Sequence, residues 1–387
     1  MRTVGVGVVG AGWMGHVHAA AYSRLTHHYP DLGVRARLLA VADPVEDLRL
    51  EAVQRFGFER AHEDWRELVA DPDVEVVSVT TPTFLHAEIG EAVARAGKNL
   101  WIEKPVGLAP ADTQRVGDAV SEAGVVGRVG FNYRLVPAVA RARSLVRSGS
   151  IGTVTHARFR LLTDYAAHPG GVLSWRFEDA RGGDGVVGDL VSHGVDLVRH
   201  LLGEVERVVA DSAVFIESRP LPTGAGSHYA VAEGGPVGKV ENLDYLSALM
   251  RTHEGVRVQL EGSRVAVGDQ NNYGFEIRGT RGSVAWDFRR MGELWVSSGE
   301  DYQNQPLTLS LAGPGDGDYG RFQPGAGIAM SYDDTKVAEC ADLMAAVVGT
   351  GGPGAGATLP DAVAAAEVMA ALKDSVESQS WHHIAPR

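Results

Sequence analysis

VGVGVVGAGWMG, running from Val4 to Gly15, decides how the first third of this chain folds. Val4–Val9 is a short apolar run rich in valine, which suits a buried strand. Gly10-x-Gly12-x-x-Gly15 follows at once, and Ala11–Leu25 then reads as a helix. A glycine turn between a strand and a helix aims the helix's first N–H groups at whatever lies in front of them, which favours an anion. Gly10 allows the tight turn, Gly12 lets backbone approach a pyrophosphate, and Gly15 lets helix and strand pack closely. Trp13 and Met14 fill the first helical turn beside that anion. The same glycine spacing recurs at Gly5–Gly10, Gly183–Gly188 and Gly315–Gly320. The first of these falls inside the strand, and the last lies in a loop beside two aspartates. Only Gly10–Gly15 follows a strand, opens a helix and sits within a strand–helix–strand unit.

The pattern continues outward. "ARLLAVAD" (Ala36–Asp43), "VEVVSVTTP" (Val74–Pro82) and "NLWIEKP" (Asn99–Pro105) read as continuous apolar strands. "PVEDLRLEAVQRFG" and "HAEIGEAVARAGK" read as helices between them, the first with Pro44 near its start and Gly57 at its end. Such alternation predicts a parallel sheet covered on both faces, a doubly wound α/β domain. Asp43 closes the second strand, where a carboxylate would hold ribose hydroxyls. It lies 33 positions after Gly10, and the long "THHYPDLGVR" connection accounts for the distance. No arginine directly follows it, so NAD is expected over NADP. Ligands of open α/β sheets bind beyond the carboxyl ends of the strands. Thr80, Thr81, Pro82 and His86, from "TTPTFLH", are therefore placed along the dinucleotide, as are Glu103 and Lys104. Each also has a plain reading, as a capped helix start or a surface lysine.

From about residue 150 the strands alternate polar and apolar instead: "TVTHARFRLL", "VERVVADSAVFIES", "YLSALMRTHEG", "VRVQLEGSR" and "YGFEIRGTRGSVAWDF". Glycine-containing turns join two pairs of them, which predicts antiparallel hairpins. Residues 301–327 and 348–357 are Gly-rich and read as loops. "DDTKVAECADLMAAVV" and "LPDAVAAAEVMAALKDSVES" read as closing helices. The expected division is a Rossmann dinucleotide-binding domain over 1–130, then a substrate-binding and oligomerisation domain over 131–387, with closing helices able to pack back on the first.

Composition narrows the partners. Thirty-six Lys and Arg against 49 Asp and Glu leave a net charge of −13, with no basic run, which argues against nucleic acid and anionic membrane. A single cysteine, Cys340, fits a reducing compartment, and no apolar stretch reaches the ~20 residues of a membrane span. A cytoplasmic location is expected.

"GDGVVGDLVSHGVDLVRH" (Gly183–His200) carries the second glycine match and then an Asp–His–Asp–His series. On a regular helix Asp189, His193, Asp196 and His200 share one narrow stripe opposite an apolar face. Three readings fit: a solvated face capped by Asp189, a metal pair, or an acid–base pair. A metal lacks a third ligand of defined geometry, and no metal is expected. The acid–base reading makes His193 the proton shuttle, with Asp189 holding the substrate or orienting the imidazole. Asp196 and His200 then read as structural. Tyr133 and Arg134 in "GFNYR", Trp175 and Arg176 in "LSWRF", and Asn271 and Asn272 offer hydrogen bonds and ring faces suited to a polyol.

The N-terminal glycine turn, Asp43, "TTPTFLH", "AGKNLWIEKPVG" and "GFNYR" occur in order at family-like spacing. The chain resembles the glucose–fructose oxidoreductase / inositol dehydrogenase / MocA family along nearly its whole length. "EKP" after "AGK" is the most specific short signal. The resemblance implies a Rossmann domain followed by an α/β domain with a large, mostly antiparallel sheet that carries substrate and often forms the oligomer interface. It implies an NAD-dependent dehydrogenase acting on CH–OH of an inositol, pyranose or anhydrosugar. Lys104, Asp189 and His193 match the family's catalytic residues one by one. Lys104, Tyr133, Trp175, Arg176, Asp189 and His193 are the expected substrate contacts, and a homodimer or homotetramer the expected assembly. Two other functions fit the same residues: glycoside cleavage through transient ring oxidation, and a non-catalytic NAD-binding sensor.

Overall fold

The computed structural model describes residues 1–222, 230–232, 234–350 and 354–385. The chain divides into two compact units. The first comprises Met1–Val136, Asp318–Gly325 and Met330–Val363; the second comprises Pro137–Gly317, Ala326–Ala329 and Ala364–Arg387.

The first unit is built on six parallel strands: β1 (Arg2–Val9), β2 (Val34–Ala42), β3 (Arg60–His62), β4 (Val76–Val79), β5 (Asn99–Ile102) and β6 (Gly127–Val129). Their order is β3-β2-β1-β4-β5-β6, so the winding reverses between β1 and β4. That switch point is where such sheets open a crevice for ligands. Every residue of β4 and the last six of β1 are buried, as expected of strands covered on both faces. Helices α1 (Trp13–His28), α2 (Glu46–Phe56), α3 (Trp65–Ala70), α4 (His86–Arg95) and α5 (Pro110–Ala123) connect them. α1 starts two residues later than its periodicity suggests, because Gly12 keeps an extended backbone and caps it.

In the second unit, α6 (Pro137–Arg147), α7 (Asp179–Gly182) and α8 (Ser192–Leu202) accompany a nine-stranded sheet. Its strands are β7 (Val154–Leu162), β8 (Val205–Ala213), β11 (Tyr245–Thr252), β12 (Arg257–Ser263), β13 (Asn272–Gly279), β14 (Gly282–Asp287), β15 (Glu293–Ser298), β16 (Thr308–Leu311) and β17 (His382–His383). β9 (Ser218–Pro220) and β10 (Val237–Lys239) form a separate ribbon. Antiparallel pairing holds throughout the large sheet except at β7–β12, which is parallel. The hairpins β11–β12 and β13–β14 turn at the expected places.

The stretch 301–327 is not all loop. It contains β16, which pairs with β15, and α9 (Tyr319–Phe322). Residues 351–353 of the other Gly-rich stretch lie outside the described residues. α10 (Tyr332–Val348) closes the first unit, and Val337, Leu343 and Met344 pack with β1 and α1 residues in its core. α11 (Leu359–Ser378) runs on into the second unit.

Candidate functional site

The cradle of the first unit forms where β1 ends. Gly10 has φ +95°, a left-handed value that favours glycine, and an added Cβ there would sit 2.9 Å from the Thr80 backbone. At Gly15 an added Cβ would lie 2.0 Å from the Gly10 carbonyl oxygen, so any side chain there breaks the turn. At Gly12 an added Cβ meets nothing within 4 Å. Packing thus requires Gly10 and Gly15, whereas the space before Gly12 is open. The Thr80 hydroxyl donates to the Val9 and Gly10 carbonyls and pins the turn to the end of β4. Thr81 Oγ1 is buried with no hydrogen-bond partner. An open cradle in front of a helix N-terminus, beside an unsatisfied hydroxyl, fits the phosphate and nicotinamide ends of a dinucleotide.

Asp43 stands at the end of β2 as expected. Its Oδ2 accepts from the Ala11 N–H (2.8 Å) and its Oδ1 from Val45 N–H (2.9 Å), so the carboxylate ties the glycine turn to the sheet. Arg49, one turn into α2, donates to the Asp43 and Pro44 carbonyls, a cation that inspection of the residues next to Asp43 does not reveal. Trp13 is 69% exposed and stacks on Tyr332, whose hydroxyl reaches Met14 Sδ at 3.8 Å. Pro82 precedes a short 3₁₀ turn, Thr83–Leu85. Both His86 ring nitrogens lie 2.7 Å from carbonyl oxygens, of Thr81 and of Pro105, so His86 braces the two loops. Burial pushes its basicity down. The Lys104–Pro105 peptide is cis. The Glu103 side chain turns into the interior, where it meets His18 and Lys336. Tyr133 is buried in a 3₁₀ turn, and Arg134 beside it pairs with Asp361 at 3.2 Å.

In the second unit the Asp189/His193 segment departs from a regular helix. Val187–Val191 forms a π-helical turn, and α8 begins at Ser192. Such wider turns recur at functional sites. α8 is not a solvated face: from Ser192 to Leu202 every residue but Arg199 is buried, His193 at 8% and Asp196 at 1% exposure. Asp189 is firmly held. The Tyr165 hydroxyl donates to its Oδ2 at 2.7 Å, and the Arg176 guanidinium lies 3.5 Å from its Oδ1. Burial, reinforced by the Asp189 charge, raises the Tyr165 phenol's pKa, so it stays a donor. Arg176 also lies over the Trp175 ring at 4.6 Å.

The glycines ahead of this turn have a structural purpose that the glycine match misstates. Gly183 and Gly185 both have φ +60°. An added Cβ at Gly182 would meet the Arg176 carbonyl at 2.7 Å, and one at Gly185 the Leu243 carbonyl at 2.6 Å. Asn242 donates to the Arg176 and Gly183 carbonyls, and Arg264 to Asn242 and Asp244. Backbone therefore crowds these glycines. Asn271 and Asn272 likewise turn to local partners: Asn271 Oδ1 accepts from Tyr273, and Asn272 Oδ1 from Arg160 and Arg289. Tyr165, 24 positions before Asp189, is the site residue that the sequence does not flag, because an isolated tyrosine in a loop carries no local signal.

The chain is similar to known proteins in sequence and in fold. The oxidoreductase family with an NAD-binding Rossmann fold matches residues 4–131, and the GFO/IDH/MocA C-terminal domain matches residues 139–285. Levoglucosan dehydrogenase of Pseudarthrobacter phenanthrenivorans is 35% identical over 388 residues, covering 98% of each chain. Inositol 2-dehydrogenase of Rhizobium meliloti is 31% identical over 313 residues, 79% of this chain and 82% of its own. The solved structure of a levoglucosan dehydrogenase in complex with NADH and levoglucosan superposes over 100% of both chains, at 31% identity and a TM-score of 0.92.

Proposed function

This chain belongs to the GFO/IDH/MocA oxidoreductases, and from that membership we propose that it transfers a hydride between NAD and a secondary carbinol of a cyclic sugar or polyol. The observation that carries the reading is the Asp189 carboxylate, fixed by Tyr165 and Arg176 one turn before His193 on an otherwise buried helix. In this reading residues 1–130 serve the dinucleotide and 131–387 the substrate.

Bound NAD supplies the hydride acceptor. The chain's residues manage the proton and the orientation. His193 takes the hydroxyl proton as the carbinol becomes a carbonyl. Asp189 accepts from a substrate hydroxyl or orients the imidazole. Lys104, by its resemblance to the family's lysine, contributes a charged hydrogen bond to the substrate. Tyr133, Trp175 and Arg176 are the remaining substrate contacts. Proton transfer of this kind is worth about 10²–10⁴-fold, roughly 3–5 kcal/mol of barrier. The relatives' names make levoglucosan and inositols the first compounds to try. NADH formation with one of them, followed at 340 nm, is the expected result. No turnover with any inositol, pyranose or anhydrosugar would overturn the reading.

The same assay measures cofactor choice. Asp43, held at 9% exposure at the ribose end, would repel a 2′-phosphate. NAD should be preferred over NADP by at least about tenfold, or roughly 1.4 kcal/mol. Asp43→Ala should narrow that ratio, because it leaves Arg49 as the nearby charge. Equal turnover of the parent enzyme with NADP would refute the assignment.

Assembly through the large sheet belongs to this reading, on grounds that the structure changes. The valines and leucine of "VRVQLEG" do not face outward: Val256, Val258 and Leu260 are buried. The outer face instead carries a basic row at one end and acids toward the other. Arg207, Arg251, Arg257, His156 and Arg278 stand side by side across five strands. Leu249, Trp295 and Leu309, each more than a third exposed, lie in the next band, whose middle strands carry Gln259, Arg158 and Glu276. Asp211, Glu261 and Asp287 occupy the third, with Arg160 between the last two and paired to Asp287 at 3.2 Å. Like charges directly opposed across strands are destabilising. A second copy, related by a two-fold axis in the interface along the middle band, would lay Asp211 and Glu261 over the basic row, as an isologous contact requires. Light scattering at micromolar concentration should give at least a dimer, and Arg207→Glu/Arg257→Glu should weaken it. A monomeric mass for the parent protein would refute this interface.

A further inference from the structure

The residue before Lys104 is anchored in an unusual way. Glu103 is 7% exposed, and its Oε1 accepts from Lys336 Nζ at 2.5 Å and lies 3.0 Å from His18 Nε2. Lys336, on α10, is 0% exposed, and its Nζ also donates to Glu339 Oε2 at 2.8 Å. That oxygen accepts from Trp101 Nε1 as well, and the His18 ring stacks on Trp101 with centroids 3.6 Å apart. Glu339 Oε1 is buried without a partner. On the far side, Ser78 Oγ lies 3.1 Å from His18 Nδ1 and 2.9 Å from the Tyr22 hydroxyl.

Protonation follows from these contacts. Burial pushes His18 down to about 4, so the ring is neutral near pH 7. One directional chain then satisfies it: Tyr22 donates to Ser78, Ser78 to Nδ1, and Nε2–H to Glu103. Burial alone would raise Glu103, but the Lys336 charge and the His18 hydrogen bond hold it below the usual carboxylate range. Burial pushes Glu339 up, against the pull of Lys336. Glu103 and Lys336 thus form a buried ion pair. Gly130 completes the enclosure, since an added Cβ there would lie 2.5 Å from Glu103 Oε1. A buried ion pair contributes little stability compared with apolar residues of the same shape, and its best-attested use is to specify one geometry.

We propose that Lys336, backed by Glu339 and opposed by His18, is a positioning residue for Lys104: it fixes the Glu103 side chain and, through the shared backbone at the end of β5, the direction of the Lys104 amine. This reassigns Glu103 from a cofactor contact to an internal anchor. It rests on the reading that Lys104 takes part in turnover.

The test is a double-mutant cycle on the full-length enzyme, with Lys336→Met, Lys104→Ala and the combination. Lys336→Met should lower kcat about tenfold or more, as small misplacements of a reacting group do, while the Kd for NAD stays within about threefold. In the Lys104→Ala background the same substitution should change kcat less than about twofold, because its effect runs through Lys104. An equal loss in both backgrounds marks a merely structural role and overturns the inference. A Lys104→Ala enzyme with normal kcat instead overturns the underlying reading and this one with it. If Lys336→Met does not fold, Lys336→Met/Glu103→Gln removes both charges at similar volume and takes its place in the cycle, with the same outcomes.

Discussion

Replacing His193 with alanine should lower kcat by about 10²-fold or more and leave NAD affinity within about threefold. The first part follows from its proposed role as the proton acceptor. Without it the hydroxyl proton loses its positioned acceptor, and the barrier rises by roughly 3 kcal/mol or more. The second follows because no cradle residue is altered. The carboxylate one turn earlier keeps its own supports, since Tyr165 and Arg176 hold Asp189 independently of the imidazole. In the parent enzyme kcat/KM should rise with pH as the base loses its proton, and the variant should lack that limb. Stopped-flow or steady-state NADH formation, with NAD binding by calorimetry, provides both numbers. Near-full turnover would remove His193 from the chemistry. Loss of NAD affinity on the scale of a cradle mutation would move it to the cofactor.

Gly12→Val should abolish NAD binding, weakening it at least about 10²-fold, or roughly 2.8 kcal/mol, in a protein that still folds. An added Cβ at Gly12 meets no atom within 4 Å, and the residue's φ of −74° is ordinary for any side chain. The new methyls would therefore occupy only the space where backbone must approach a pyrophosphate. Gly15→Val provides the contrast: its Cβ would lie 2.0 Å from the Gly10 carbonyl oxygen, so the fold itself should suffer. A thermal scan separates the two, with Gly12→Val expected to melt close to the parent and Gly15→Val well below it. A Gly12→Val protein that binds NAD normally would show that the cradle assignment is wrong.

Much of the first unit was legible because its signals are local. β1, the Gly10–Gly15 turn, α1, the Gly57 stop and the hairpins β11–β12 and β13–β14 each follow from residue type and from periods of 2 or 3.6 within a few positions. The glycines at 10, 12 and 15 could be chosen over three rival matches because their neighbours on both sides agreed. The Asp189, His193, Asp196, His200 series was legible as residues, but not the π turn that takes Asp189 off a regular helix, nor the burial of α8 on nearly every side, since a wider turn leaves no mark on composition.

Tertiary structure decided the contacts between residues far apart in the chain. Nothing near Asp189 announces Tyr165, and nothing near Glu103 announces Lys336, which lies 233 positions away yet within 2.5 Å. In sequence Lys336 is one polar residue on a helix; only when α10 packs against the Rossmann sheet does it become a buried cation. The glycines at 182, 183 and 185 were legible as glycines, but backbone from Arg176 and Leu243, not a ligand, gives the reason at 182 and 185. The basic row on the outer face of the large sheet is of the same kind, because register alone aligns four arginines and a histidine from five strands. Local chemistry chose the elements of this protein, and long-range packing chose which side chains would meet, since a contact closed by a long loop has no counterpart in neighbouring residues.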